Sequence, residues 1–169
     1  MASNAKHFYT PEEYLSLERK AQYKSEYCQG EIFAMSGAGL AHHDIVINTA
    51  TDLNNQLEDT DCRVRVSAMR VKTPDSSLYT YPDVVAVCGP SKLEDNFFDT
   101  LLNPSVIIEV LSPSTEVYDR TKKFAFYRKI ESLKEYILVA QEECRVSQYT
   151  KQDSDTWSFH EASSFGPLL

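Results

Sequence analysis

Apolar residues recur along this chain with two different spacings. Val46, Ala50, Leu53 and Leu57 fall on one stripe at the period of an α-helix, which predicts a helix over residues 42–58. Runs of strand length that are continuously apolar, or that alternate with polar residues, predict β-strands at 63–66, 79–88 and 106–111. Because the last two runs are largely apolar, we expect them inside a sheet with helices on its faces.

Capping and turn residues divide the remainder of the chain. Thr10-Pro11-Glu12-Glu13 supplies a threonine N-cap, a proline at the first helical position and a glutamate for a capping box, which predicts a short helix to about Lys20. Gly30 marks the turn of a predicted hairpin, with strands at 27–28 and 31–34. The other predicted elements are strands at 69–73, 135–140, 145–149 and 156–161 and a basic amphipathic helix over 117–131.

The order of these elements predicts the fold class α/β (α+β), with a mixed β-sheet flanked by helices. The 169 residues fit one domain, which we expect to cover residues 9–169 after a flexible tail at residues 1–8. No apolar run is long enough to cross a membrane, and no signal-peptide pattern opens the chain. We therefore expect a cytoplasmic protein without a membrane partner.

Two carboxylates stand in apolar surroundings. Asp83 is followed by Val84-Val85-Ala86-Val87, and Glu109 lies inside the apolar run 106–111. A carboxylate on a buried strand is costly unless a cation, a hydrogen-bond donor or a proton compensates it. If the two strands are neighbours, period-two alternation brings both side chains to one place on the sheet.

The residues alone leave two interpretations of this pair open. Each carboxylate can form a buried ion pair with lysine or arginine, which is a structural role. Alternatively, Asp83 and Glu109 share a divalent cation, and oxygen ligands favour Mg²⁺ or Mn²⁺ over zinc.

The sequence around both acids resembles a known family. Tyr81-Pro82-Asp83-Val84-Val85, followed by Glu109-Val110-Leu111-Ser112-Pro113-Ser114-Thr115, is similar to the Uma family of restriction endonucleases, within the PD-(D/E)XK nuclease superfamily. The resemblance extends over about residues 9–150. It implies a restriction-endonuclease-like fold, Asp83 and Glu109 as metal ligands, and Mg²⁺-dependent hydrolysis of DNA.

One position departs from the superfamily motif. The motif places a lysine two residues after the glutamate, where this chain has Leu111. Asp119, Lys123 and Tyr127 recur every four residues and share one face of the predicted helix. We predict that Lys123 replaces the missing cation, unless its amine lies more than about 8 Å from the acids; the alternative is a local pair with Asp119.

Three further residues are weaker candidates. His42 lies one turn before Val46, so it is either a proton-handling group near the site or a satisfied histidine at a helix start. Glu31 matches an acidic position of the family and is either a further ligand or a surface residue. The backbone carbonyl of Val110 is a possible additional metal ligand.

Charge and cysteine content limit the partners. A formal net charge of −8 argues against tight nonspecific binding of nucleic acid, although basic residues cluster in 63–72 and 119–134 and can form one basic face. The four cysteines show no C-x-x-C pair, so we expect reduced thiols and no zinc site.

The sequence is therefore compatible with three functions. The first is a Mg²⁺- or Mn²⁺-dependent endonuclease acting on DNA, by analogy as a homodimer. The second is a nuclease-fold DNA-binding module with weak catalysis, suggested by Leu111. The third is a structural or oligomerisation domain whose buried acids only form ion pairs.

Overall fold

A computed structural model of the chain describes residues 7–35 and 37–163. The helices are α1 (Pro11–Glu18), α2 (Leu40–Gln56), α3 (Glu116–Tyr118) and α4 (Phe124–Tyr127), with a π-helical turn (Asp119–Lys123) that joins the last two. The strands are β1 (Ser25–Cys28), β2 (Glu31–Ala34), β3 (Cys62–Val66), β4 (Arg70–Lys72), β5 (Leu78–Thr80), β6 (Val84–Cys88), β7 (Thr100–Leu101), β8 (Val106–Leu111), β9 (Glu135–Ala140), β10 (Val146–Lys151) and β11 (Trp157–Ala162).

The strands form two mixed sheets. The five-stranded sheet has the order β2-β1-β5-β4-β7 and the six-stranded sheet has the order β11-β10-β9-β8-β6-β3. Each sheet is antiparallel except for one parallel pair, β4 with β7 and β8 with β9. The predicted fold class, a mixed sheet flanked by helices, is confirmed. The strands, however, are divided between two mixed sheets rather than one.

The predicted strand 79–88 is interrupted, and the interruption places a site residue. Its first part is β5 of the five-stranded sheet and its second part is β6 of the six-stranded sheet. Between them lies Tyr81-Pro82, where proline has no N–H to donate to a strand partner. Asp83 therefore lies at the point where the chain passes from one sheet to the other.

The predicted basic helix is shorter than expected and is not α-helical throughout. Helical structure covers residues 116–127 rather than 117–131, and its centre is the π-helical turn. Short extended pieces also occur in the acidic region 91–102, which was predicted to be irregular: β7, and a bridge between Leu93 and Leu101.

Helices and strands cover the two faces of the six-stranded sheet to different extents. On one face, Val46 and Ala50 of α2 pack against Val84, Ile108 and Val110. The opposite face meets the 116–127 helical segment and the five-stranded sheet, in a core that includes Tyr127, Tyr136 and Leu138. Alternate side chains of the central strands therefore point into two separate hydrophobic cores, one on each face of the sheet.

A buried arginine connects the five-stranded sheet to the region around α1. Arg70, which is 2% exposed, donates hydrogen bonds to Tyr81 Oη (2.9 Å) and Thr100 Oγ1 (3.0 Å) and lies 2.9 Å from Asp99 Oδ2. Arg19, the residue that follows α1, contacts the same Asp99 carboxylate at 2.8 Å. These contacts hold α1 on the sheet through polar groups.

The prediction that all cysteines are reduced is wrong for one pair. Cys62 and Cys88 form a disulfide, while Cys28 and Cys144 are free thiols. The two paired cysteines lie directly opposite each other in the antiparallel register of β3 and β6. They are 26 residues apart in sequence, so no local pattern indicates their proximity.

The other expectations are tested to different extents. No helix within residues 7–35 and 37–163 is long and apolar enough to cross a membrane.

The predicted tail falls mainly on residues 1–6, outside the described residues. Beyond it, the N–H of Tyr9 donates to the Gly30 carbonyl at 2.8 Å. Gly30 has a φ of 93°, and a Cβ there would lie 2.8 Å from Phe8 Cδ1, so this turn requires glycine.

Candidate active site

Asp83 is held in place through both of its carboxylate oxygens. The register Val84↔Ile108 places it beside the second half of β8. Its Oδ1 lies 2.8 Å from His42 Nε2, and its Oδ2 accepts a 2.8 Å hydrogen bond from the backbone N–H of Val110. An ionised carboxylate only accepts, so the imidazole of His42 donates. The orientation of the Asp83 carboxylate is therefore fixed while 18% of its side chain stays exposed.

The backbone of Val110 faces the Asp83 carboxylate. The pairing of β6 with β8 ends at Val84↔Ile108, so β8 continues past the end of β6. In a strand, the N–H and the C=O of one residue point to the same neighbour. The Val110 carbonyl therefore faces the side on which its N–H meets Asp83.

Glu109 is a deeply buried carboxylate of the site. It is 4% exposed, and its Oε1 accepts a 2.9 Å hydrogen bond from Tyr127 Oη and lies 3.0 Å from Lys123 Nζ. Burial raises the pKa of Glu109 to about 8, against the opposing charge of Lys123 and with smaller contributions from Asp119 and Asp83. The ionised form of Glu109 is therefore stabilised by the nearby ammonium of Lys123.

Lys123 lies at the centre of a cluster of carboxylates. Its Nζ is 3.0 Å from Glu109 Oε1, 3.2 Å from Glu26 Oε1 and 3.5 Å from Asp119 Oδ1, and the residue is 6% exposed. Burial disfavours the ammonium, but the charges of Glu109 and Glu26 outweigh it and hold the pKa of Lys123 well above its usual value. Both the predicted proximity to Glu109 and the alternative pair with Asp119 are present.

The π-helical turn places these side chains on one side of the helical segment. Asp119, Lys123 and Tyr127 share one side of the segment, as their four-residue spacing predicted, and all three are buried there, whereas Lys122 is exposed. The turn begins at Asp119 and ends at Lys123, the two residues that contact each other. Single π-helical turns within α-helices often occur at functional sites.

Sequence reasoning missed Glu26, which contributes to the same cluster. Besides Lys123, its Oε1 accepts hydrogen bonds from the Thr80 hydroxyl and, at 3.4 Å, from the Tyr81 N–H. In the sequence Glu26 has polar neighbours and lies in a short hairpin strand, which is typical of a surface residue. Only the pairing of β1 with β5, through Tyr27↔Tyr79, brings it to the site.

Replacing Glu26 by glutamine is expected to lower the free energy of unfolding by about 1–2 kcal/mol, because a neutral amide then faces the buried ammonium of Lys123. Urea unfolding measures the change. The matched control is Glu58→Gln on an exposed turn, which should leave stability within about 0.5 kcal/mol. Equal stability of the two variants would show that the Glu26–Lys123 contact contributes nothing.

Glu31 was a weaker candidate for a further metal ligand. Glu31 opens β2 opposite Cys28 and is half-buried. Among residues 7–35 and 37–163, no three His, Cys, Asp or Glu side chains are arranged to hold a metal ion. The structure therefore does not bring Glu31 together with Asp83 and Glu109 as a third ligand.

Comparisons with known proteins agree with one another. A model of the Uma2 family, described as "Putative restriction endonuclease", matches residues 11–169. The chain is 39% identical over 148 residues to the uncharacterized protein sll1609 of Synechocystis sp., which covers 88% of this chain and 84% of that protein. For slr1290 of the same organism, also uncharacterized, the identity is 36% and the coverage is 88% and 77%.

A solved structure shares the fold. The crystal structure of a protein from Anabaena variabilis, described as a putative nuclease belonging to DUF820, matches with a TM-score of 0.75 over 95% of this chain and 88% of that chain. At 20% identity this likeness concerns the fold alone. Family and fold together support a nuclease function, and the chain belongs to the Uma2 family.

Proposed function

We propose that this protein is a Mg²⁺- or Mn²⁺-dependent endonuclease that hydrolyses phosphodiester bonds in DNA. The observation that carries the proposal is the geometry around Asp83 and Glu109. Asp83 is oriented by His42 and by the Val110 N–H, beside a buried Glu109 that contacts Lys123. A purely structural ion pair has no need of a second carboxylate oriented in this way.

The donor set fits magnesium or manganese. Mg²⁺ usually binds to proteins through one or two carboxylates and completes its shell with water and substrate phosphate. Asp83 and Glu109 supply the two carboxylates, and the Val110 carbonyl is a further oxygen on the same side. The wider cluster also has an excess of negative charge, because three acids, Glu26, Glu109 and Asp119, surround one lysine. The charge of Asp83 also acts on Glu109, so a divalent cation is electrostatically favoured.

The chain's own residues have separate roles in the proposed reaction. His42 holds Asp83 and is the candidate group for moving a proton, while the Tyr127 hydroxyl fixes Glu109. Lys123 provides positive charge near the developing negative oxygens, as the missing motif lysine would. A bound Mg²⁺ supplies stabilisation of phosphoryl oxygens and lowers the pKa of a water molecule.

The charges available for DNA are fewer than the sequence suggested. Arg120 pairs with Glu116, Lys129 pairs with Asp75, and Lys123 is buried. Exposed Lys122, beside Lys123, is the candidate for backbone contact. Binding of DNA should therefore weaken steeply with salt and depend on the metal to bridge acids and phosphate.

Two rival functions rest on specific observations. The three ion pairs of Lys123 are what a structural domain with buried acids would show. Leu111 in place of the motif lysine favours a nuclease-fold module that binds DNA without efficient cleavage. Metal binding separates the structural domain from the other two, and cleavage separates the nuclease from the binding module.

The experiment combines both measurements. Calorimetric titration with MnCl₂ is expected to show binding to the native protein and none to the double variant Asp83→Asn, Glu109→Gln. Supercoiled plasmid with Mg²⁺ or Mn²⁺ should be cut by the native protein and left intact by the double variant. Linear plasmid as the product would support a homodimer that cuts both strands. Nicked circular plasmid would support a monomer that cuts one strand. Metal binding that is equal in both proteins excludes the proposed site.

A further inference from the structure

Within the part of the chain that the structure describes, one face of the six-stranded sheet is covered over only part of its width. Along β9 the side chains alternate between buried Tyr136 and Leu138 on the site side and half-buried Ile137 and Val139 on the α2 side. On that second face, Ile108 of the neighbouring strand β8 is buried in the core that includes Val46 and Ala50 of α2. The cover provided by α2 therefore ends between β8 and β9.

A groove occupies the uncovered part. Its cavity volume is about 640 Å³, within the range of binding clefts. The floor and wall are apolar and come from α2, β8, β9 and the start of β10: Ile45, Leu53, Ile108, Ile137, Val139 and Val146. Glu109 points to the opposite face of the sheet, so the groove is separate from the proposed active site.

The rim of the groove is acidic. Asp52 of α2 lies on one side, and Glu142 and Glu143 of the loop before β10 lie on the other. The one cation among the lining residues is Arg145, which already contacts Glu143 at 2.7 Å and Glu116 at 3.0 Å. A bound partner would therefore contact apolar side chains in the centre of the groove and carboxylates on both sides of it.

The fold indicates the shape of the partner. An exposed apolar sheet face is commonly covered by helices packed side by side, and here the position next to α2 has no helix among the described residues. A second copy of this chain fits poorly, because its net charge is −8 and neither α1 nor α2 contains a lysine or arginine. We propose that the groove binds a basic amphipathic helix of another protein, with its apolar stripe on the sheet and its lysines or arginines facing the rim.

The test uses two designed helical peptides that share a leucine stripe at positions i, i+3, i+4 and i+7. One carries lysines on its polar face and the other carries glutamates. By calorimetry at low salt, the lysine peptide is expected to bind with a Kd of about 10 μM, and the glutamate peptide at least about tenfold more weakly. Alkylation of the free thiol of Cys144, which lines the groove, should slow when the lysine peptide is bound.

Matched variants separate the groove from general charge attraction. Asp52→Asn with Glu142→Gln removes two rim charges, and Glu12→Gln with Glu131→Gln removes two exposed charges elsewhere. The rim variant should bind the lysine peptide about tenfold more weakly, and the control should change less than about twofold. Equal losses in both variants, equal binding of the two peptides, or no binding up to about 1 mM would each overturn the proposal.

Discussion

Replacement of Lys123 by alanine is expected to lower the free energy of unfolding by about 3–5 kcal/mol and to abolish plasmid cleavage. The stability loss follows because buried Glu109 and Asp119 and half-buried Glu26 remain around a missing cation. An uncompensated buried charge carries a penalty of that size. Loss of cleavage follows separately, because removal of one preorganised positive donor typically costs about 10²–10³ in rate.

The control is the neighbouring residue of the same type. Lys122→Ala removes an exposed lysine from the same helical turn and should change stability by less than about 0.5 kcal/mol. Urea unfolding measures stability, and cleavage is assayed in conditions where circular dichroism shows that the variant is folded. A Lys123→Ala protein as stable as Lys122→Ala would mean that the cluster around Lys123 is not formed.

Replacement of Arg70 by methionine is expected to cost about 2–4 kcal/mol of stability without touching the proposed active site. Methionine fills much of the same space but leaves the Tyr81 and Thr100 hydroxyls without the donor that they now contact. The matched control is Arg63→Met, because Arg63 is exposed and donates to the backbone carbonyls of Thr60 and Cys62. If both variants unfold at the same urea concentration, the buried network does not stabilise the fold.

The same network predicts a response to acid. Hydrogen bonds from Arg19 hold the pKa of Asp99 well below its usual range, with a further contribution from Arg70. A carboxylate whose pKa is depressed by folding contributes stability above its unfolded pKa of about 3.9, and this contribution is lost as pH falls below that value. Asp99→Asn should therefore flatten the dependence of stability on pH below about pH 4.

Local patterns in the sequence located much of the candidate site. Period-two alternation placed Glu109 on the same face of β8 as Ile107 and Leu111. The four-residue spacing of Asp119, Lys123 and Tyr127 placed the lysine on the side of the helical segment that contacts Glu109. These inferences succeeded because each depends on a period within one element. That the strands of Asp83 and Glu109 are neighbours was a condition of the prediction, and the pairing of β6 with β8 meets it.

The features that were missed depend on pairing between distant segments. Glu26 reaches Lys123 only because β1 pairs with β5, about 50 residues later. The disulfide of Cys62 and Cys88 requires the register of β3 and β6, and the break at Pro82 requires knowledge that two sheets exist. Strand pairing is a nonlocal property, so short-range periodicity carries little information about it.

The disulfide has a consequence for the border of the six-stranded sheet. Among residues 7–35 and 37–163, strand β3 is outermost in that sheet and pairs with β6 alone. An outermost strand presents unpaired backbone groups and can be exchanged between molecules or serve as a template for aggregation. The covalent link between Cys62 and Cys88 fastens β3 to its neighbour, and the charged side chains of Arg63 and Arg65 lie along it. While the disulfide is intact, this border of the molecule is therefore protected against strand exchange and fibril-like association.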